Sequence, residues 1–156
     1  VQQALNNAQQ PVQAISKLQE EKEQLEQQVA SLLKEKAQGL KGSLKKAVTT
    51  INGVNFLAEQ IDLDAAGMKD LAYELGGELD DLFLIFGSEK EGKALLTCYI
   101  SKELAAEREL NAGTIVRELG KYIQGGGGGQ PFFATAGGKH PEGISEALEK
   151  AKAYIV

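Results

Sequence analysis

The sequence predicts an α/β domain of about 100 residues with a central sheet of three to five strands, set behind an N-terminal long helix or helical hairpin. Three observations carry this. Apolar residues recur at alternating three- and four-residue steps from Ile15 to Leu32. Two short apolar runs, 81–88 and 94–101, flank the turn-forming segment EKEGK. From Val54 onward, strand-like and helix-like segments alternate to the C-terminus.

The arm is expected over 1–50. Ile15, Leu18, Leu25, Val29 and Leu32 form a heptad seam in which Lys22 fills one position, and Glu and Lys crowd the flanking positions. No Gly or Pro interrupts Val12 to Gln38, so one helix can run unbroken, with Pro11 marking a start or a kink. The seam suits either packing on a neighbouring element or pairing between two copies as a coiled coil, that is, a homodimer through the arm. Gly39, Gly42 and Gly53 punctuate the passage to the next domain, with a hinge expected near 39–42 and a short amphipathic stretch through Leu44, Ala47, Val48 and Ile51.

The second domain is expected over 51–156. VNFLAEQI (54–61) reads as a strand, and AAGMKDLAYEL (65–75) as a helix with Met68, Leu71, Ala72 and Leu75 on one face. DLFLIFGS (81–88) and ALLTCYIS (94–101) read as a hairpin across EKEGK. Residues 111–124 form a core-facing helix capped by Asn111, with Ile115, Val116, Leu119, Tyr122 and Ile123 inward. FFATA (132–136) is a short strand, Gly137 and Gly138 a turn, and Pro141 opens a final helix whose inner face is Ile144, Ala147, Leu148, Ala151 and Ile155.

Composition narrows the chemistry. The chain has 156 residues, 42% hydrophobic and 25% charged, and carries a formal charge of -5. Residues 1–53 hold seven Lys against five Glu, whereas 54–156 hold ten Lys and Arg against seventeen Asp and Glu. An acidic domain argues against a broad nucleic-acid face and leaves room for a local one. With one Cys (Cys98) and one His (His140), no internal disulfide forms and no multi-His/Cys metal site can be built from one chain. Cys98 reads as a buried strand residue and His140 as a surface turn residue. No apolar run approaches the roughly 20 residues of a membrane span, and VQQALNNAQQ lacks the basic and apolar regions of a signal peptide, so a cytoplasmic location is expected. The chain opens on Val1 inside a Gln/Asn/Ala-rich helical pattern, which suggests a piece of a longer protein.

IQGGGGGQPFFATAGGKHPEG (123–143) carries the strongest functional signal. Five ordered glycines are entropically costly unless close backbone approach repays them. The segment after them is too small to fold alone, so the run is an internal loop rather than a linker. Such a loop exposes backbone N–H groups to phosphate or carboxylate oxygens and lets a nucleotide lie flat against the chain. A ligand-binding loop and a mobile surface loop both remain open at this point.

GGGGGQPFFATAGG (125–138) resembles the glycine-rich signature near the C-terminus of alanyl-tRNA synthetases. INGVNFLAEQI (51–61), MKDLAYELGGEL (68–79), the hairpin 81–101 and the helix before the glycines follow in that family's order, and the arm agrees. The resemblance implies a C-terminal tRNA-binding and tethering domain that contacts the tRNA elbow, dimerises in some members, and works beside other domains of the parent synthetase. ATP, Mg and Zn would belong to those other domains, with no cofactor and no catalysis in this one. The same module closes the DHH phosphoesterases, where a histidine ends the glycine run; Gln130 stands in that place here. A phosphoesterase substrate-binding half and a structural oligomerisation module are therefore the rival readings.

The expected RNA-binding set is Gly126, Gly127, Gly128, Gly129, Gln130, Phe132, Arg117, Lys121 and Lys139. The glycines would approach ribose-phosphate or an exposed base pair. Phe132 or Phe133 could stack on a base, with alternation turning one of them toward the core, and burial of both aromatics is the competing reading. Arg117 and Lys121, four apart on a helix, would join Lys139 in one positive patch.

Overall fold

The computed structural model describes residues 11–156. The reading of VQQALNNAQQ falls on residues 1–10 and lies outside the described residues. The chain divides into two compact units, 1–40 and 41–156.

Among the described residues the first unit is helical. Helix α1 (Pro11–Ala47) begins in it and supplies its regular structure. Ile15, Leu18, Leu25, Val29 and Leu32 are all more than half exposed, as is Leu33. Neither Gly39 nor Gly42 breaks α1, and a Cβ at either position would meet nothing within 4 Å. α1 runs unbroken through the span where a hinge is expected, and the division between the two units falls within that span; two isolated glycines weaken a helix without ending it when neighbouring turns stay bonded.

The second unit opens with the last turns of α1. Leu44 is buried, and Lys41 pairs with Glu78 at 2.5 Å and Glu74 at 3.5 Å. Lys45 also pairs with Glu78. The expected amphipathic stretch ends here: β1 (Thr49–Ile51) follows and turns into β2 (Val54–Gln60) through Asn52 and Gly53, both at positive φ. This is a two-residue hairpin turn of the kind that Asn-Gly favours.

α2 (Ala65–Glu78) is capped by Asp64, whose carboxylate accepts from the Gly67 N–H at 2.7 Å. It links β2 to its parallel neighbour β3 (Leu82–Lys90), since parallel strands need a crossover. β4 (Lys93–Ile100) returns antiparallel through Glu91 and Gly92, again both at positive φ. α3 (Lys102–Glu107) and α4 (Ala112–Leu119) follow, and Asn111 caps α4 by accepting from the Thr114 N–H at 3.2 Å. The expected helix over 111–124 is shorter: after Leu119 the chain continues as turns to Gln124.

The glycines are the principal correction. Gly125–Gly129 is not a loop but edge strand β5, paired antiparallel with β6 (Phe133–Gly138). Gly137 and Gly138 belong to β6 rather than to a turn. A short 3-10 turn (Pro141–Gly143) leads into α5 (Ile144–Ala151). The sheet has six strands in the order β1-β2-β3-β4-β6-β5, so the predicted α/β class holds with more strands than expected.

Two covers close the sheet. Alternate residues of β4 (Leu96, Cys98, Ile100) and β6 (Ala134, Ala136) join Phe83, Ile85, Ile115, Val116, Ile144 and Ala147 in one buried cluster under α4 and α5. α2 packs over β3 and β4 on the other face with Met68, Leu71, Ala72 and Leu75. β3, covered on both sides, has Leu82 to Phe86 fully buried.

Candidate functional site

The five glycines do two different jobs. A Cβ on Gly125, Gly127 or Gly129 would stand less than 3.0 Å from the backbone of β6, so these three have no room for any side chain. α4 also approaches β5 closely. A Cβ on Gly113 would lie 2.8 Å from the Gly129 carbonyl oxygen, and one on Gly120 would lie 3.4 Å from that of Gly125. Helix and strand meet backbone to backbone, which is the close approach that repays ordering glycine.

Gly126 and Gly128 differ. A Cβ on Gly126 would meet nothing within 4 Å, and one on Gly128 would meet only the Arg117 guanidinium, at 3.6 Å. In the β5–β6 turn, Gln130 and Phe133 exchange N–H to carbonyl bonds at 2.8 and 3.3 Å. Antiparallel alternation then places Gly126 and Gly128 in bonded pairs and turns the polar groups of Gly127 and Gly129 away from β6. The strand therefore turns alternate N–H groups outward, that of Gly129 against Gly113 of α4, not the successive ones expected of a loop.

Gly126, Gly127 and Gly128 form one wall of a groove of about 390 Å³, with Ala65 and Met68 of α2, Leu95 and Thr97 of β4, and Thr135 and Gly137 of β6 around it. α2 packs over β3 and β4 on this face and meets β6 at Phe133, through Tyr73 and Lys69. Thr97 is fully buried, and its Oγ1 is the one buried side-chain polar atom among the described residues without a hydrogen-bond partner. Other buried hydroxyls are satisfied: Ser88 donates to the Leu63 carbonyl at 2.6 Å, and Ser101 accepts from the Leu82 N–H at 2.9 Å. A buried hydroxyl left unpaired at a groove wall is costly, and a polar ligand edge would relieve it.

The remaining predicted residues are distributed around this shelf. Arg117, in the last turn of α4, reaches Gly128. Lys121 instead lines a separate depression with Glu118, Tyr122, Lys150 and Tyr154, where the Tyr154 hydroxyl donates to the Glu118 carboxylate. Burial first, then that hydrogen bond, pushes the Tyr154 phenol up. α4 ends at Leu119, so Lys121 stands in the turns that follow the helix carrying Arg117. Lys139 is exposed just after β6, beside His140, whose Nδ1 lies 3.1 Å from the Glu142 carboxylate. Gln130 is exposed in the hairpin turn. Cys98 is fully buried, and burial pushes its thiol up, which makes it inert.

Both phenylalanines are half-buried, so neither is the wholly buried partner expected of the pair. The Lys102 ammonium sits 5.0 Å over the Phe132 ring. Phe133 meets Tyr73 at 5.3 Å between centroids, Tyr73 meets Tyr99 edge-on at 5.4 Å, and the Lys69 ammonium lies 5.8 Å over Phe133. Tyr73, Tyr99 and Lys69 were not singled out from the sequence; the exposed aromatic on α2 is the one signal that could have found them. Burial pushes the Tyr99 phenol up, with smaller contributions from Tyr73 and from the Glu103 carboxylate. No group of three or more His, Cys, Asp or Glu among the described residues could hold a metal ion. No helix among them is long and apolar enough to cross a membrane.

Comparison with known proteins matches residues 53–156 to the DHHA1 domain model. An alanine-tRNA ligase of Christiangramia forsetii is 66% identical over 97% of this chain, and one of Flavobacterium psychrophilum is 43% identical over 99%. The chain spans 17% and 18% of the lengths of these two curated relatives. The solved C-Ala domain of Aquifex aeolicus alanyl-tRNA synthetase matches with a TM-score of 0.63 at 25% identity, covering 69% of this chain and 96% of that one.

Proposed function

This chain belongs to the DHHA1 domain family, and we propose that it is the C-terminal tRNA-contacting and tethering region of an alanine-tRNA ligase. The observation that carries this is the bare shelf of Gly126 and Gly128 beside the Arg117 guanidinium, above the unpaired Thr97 hydroxyl. A strand face without side chains lets a ribose or base lie against the backbone, and Arg117 supplies a cation to a neighbouring phosphate. Gln130 and Phe132 flank the shelf at the hairpin turn, and Lys139 adds a cation beyond the end of β6.

The work of such a domain is effective concentration. A modest hold on the tRNA elbow keeps the molecule bound while its acceptor end moves between remote sites. Aminoacylation and editing, with their ATP, Mg and Zn, belong in this reading to other domains of the parent enzyme, which would act in the cytoplasm. The relatives' names favour a ligase over a phosphoesterase, and Gln130 offers no imidazole to a substrate phosphate. A second role is supported by the exposed heptad seam of α1: pairing of two copies through residues 15–32.

The test is titration of the 156-residue chain with a tRNA transcript, and with one lacking the D-arm and T-arm contacts, at two salt concentrations. Binding that needs the elbow, falls with salt, and is lost in Gly126→Val at unchanged Tm supports the reading. Gly126 is the position to fill because a Cβ there would meet nothing within 4 Å. Equal weak binding to both transcripts, indifferent to that substitution, overturns it.

A further inference from the structure

Tyr73 is the only exposed large aromatic among the described residues, at 42%, and it sits at the rim of a three-ring cluster built from α2, β4 and β6. Its position is fixed. Tyr99 fills the space a Cβ on Gly76 would need, so the ring behind Tyr73 is seated against the α2 backbone. Phe133 holds it from the β6 side at a 32° tilt. A surface aromatic with both neighbours locked loses little conformational entropy on binding.

We propose that Tyr73 and Phe133 form a stacking ledge for one exposed nucleobase of the bound RNA, a contact distinct from the glycine shelf. The inference rests on the tRNA-binding reading above. Phe133 and Thr135 lie on the same face of β6, two residues or about 7 Å apart, so ledge and shelf are separated by about one nucleotide spacing. Charge supports a nucleic acid over an apolar peptide. Lys69 and Lys102 hold their ammonium groups over the rings of Phe133 and Phe132, and both lysines are exposed. Each ammonium can leave its ring for a phosphate as a base takes the ring face, exchanging one electrostatic partner for another.

The chain contains no tryptophan, so Tyr73→Trp places a single indole reporter on the ledge. On titration with the tRNA transcript, its fluorescence is expected to be quenched with affinity retained. Tyr73→Ala and Tyr73→Leu are expected to weaken binding about ten- to hundredfold, with the salt slope unchanged. Arg117→Gln instead is expected to lower the salt slope by about one. Tyr73→Leu retains apolar packing against Phe133, so equal loss in both variants at unchanged Tm assigns the effect to stacking. If Arg117→Gln weakens binding while the Tyr73 variants bind as the wild type and the indole is not quenched, the ledge is overturned and the tRNA reading stands. If the wild-type chain shows no salt-dependent binding, both fall.

Discussion

β3 and β5 lie in one sheet, with β4 and β6 between them, and are held there by opposite means. β3 is filled: Leu82 to Phe86 are fully buried on two faces, and the strand is fixed by the volume of its side chains. β5 is empty: its five glycines have no volume to pack, and it is fixed by how closely its backbone meets β6 and α4. A filled strand resists loss of atoms, whereas an empty one resists their addition. Function follows the same division, since only the empty strand leaves a face on which a ligand can rest.

The comparison can be broken by substitution. Phe86→Ala should have the largest effect, destabilising by about 3–5 kcal/mol in denaturant unfolding, because a fully buried ring leaves a cavity that α2 and β4 cannot close. Gly127→Ala should come next at about 1–3 kcal/mol, from the single added carbon meeting the β6 backbone. Gly126→Ala, one residue away, should change stability by only about 0.5 kcal/mol, or even raise it slightly by restricting the unfolded chain. Equal effects at 126 and 127 would remove the distinction between structural and open glycines on which the shelf depends.

The smallest effect is expected at the surface. Glu78 accepts from Lys41 and Lys45, and these bonds hold its carboxyl below the usual range, while the bond to Glu78 raises the Lys41 ammonium. A lowered carboxyl contributes stability above its unfolded pKa that is lost as pH falls through the folded one. A raised ammonium contributes below its unfolded pKa and loses that as pH rises through the folded one. The pair should therefore help across the neutral range and fail at both extremes. Glu78→Gln should lower Tm slightly at neutral pH and low salt, and the gap should close in acid or at high salt. A gap that persists in acid would assign the effect to packing.

Legibility in the sequence tracked side-chain pattern. The period of Met68, Leu71, Ala72 and Leu75 announced α2, the apolar runs announced β3 and β4, and Asn111 announced its cap. β5 was illegible because glycine carries no alternation, so a strand made of it looks like a loop. β1 was missed because Leu44 and Ala47 extend the helical pattern, although Asn52-Gly53 is a strong hairpin signal. Of the site, Arg117 and the glycines were legible by proximity in sequence. The aromatic ledge was not, since Tyr73, Tyr99 and Phe133 come from three elements and meet only through the fold.

The side chain of Asn52, in the first turn of the sheet, donates to the carbonyl of Ile155, 103 residues later, at 2.9 Å. During synthesis β2, α2, β3 and β4 are complete once Ile100 has left the ribosome, and one face of the sheet already has its helix. The other face, with Val54, Phe56, Phe83, Ile85 and Leu96, stays bare until α4 and α5 arrive. The nascent domain is thus half-finished for about the last half of its translation, and during that interval the uncovered face is the one most in need of a chaperone.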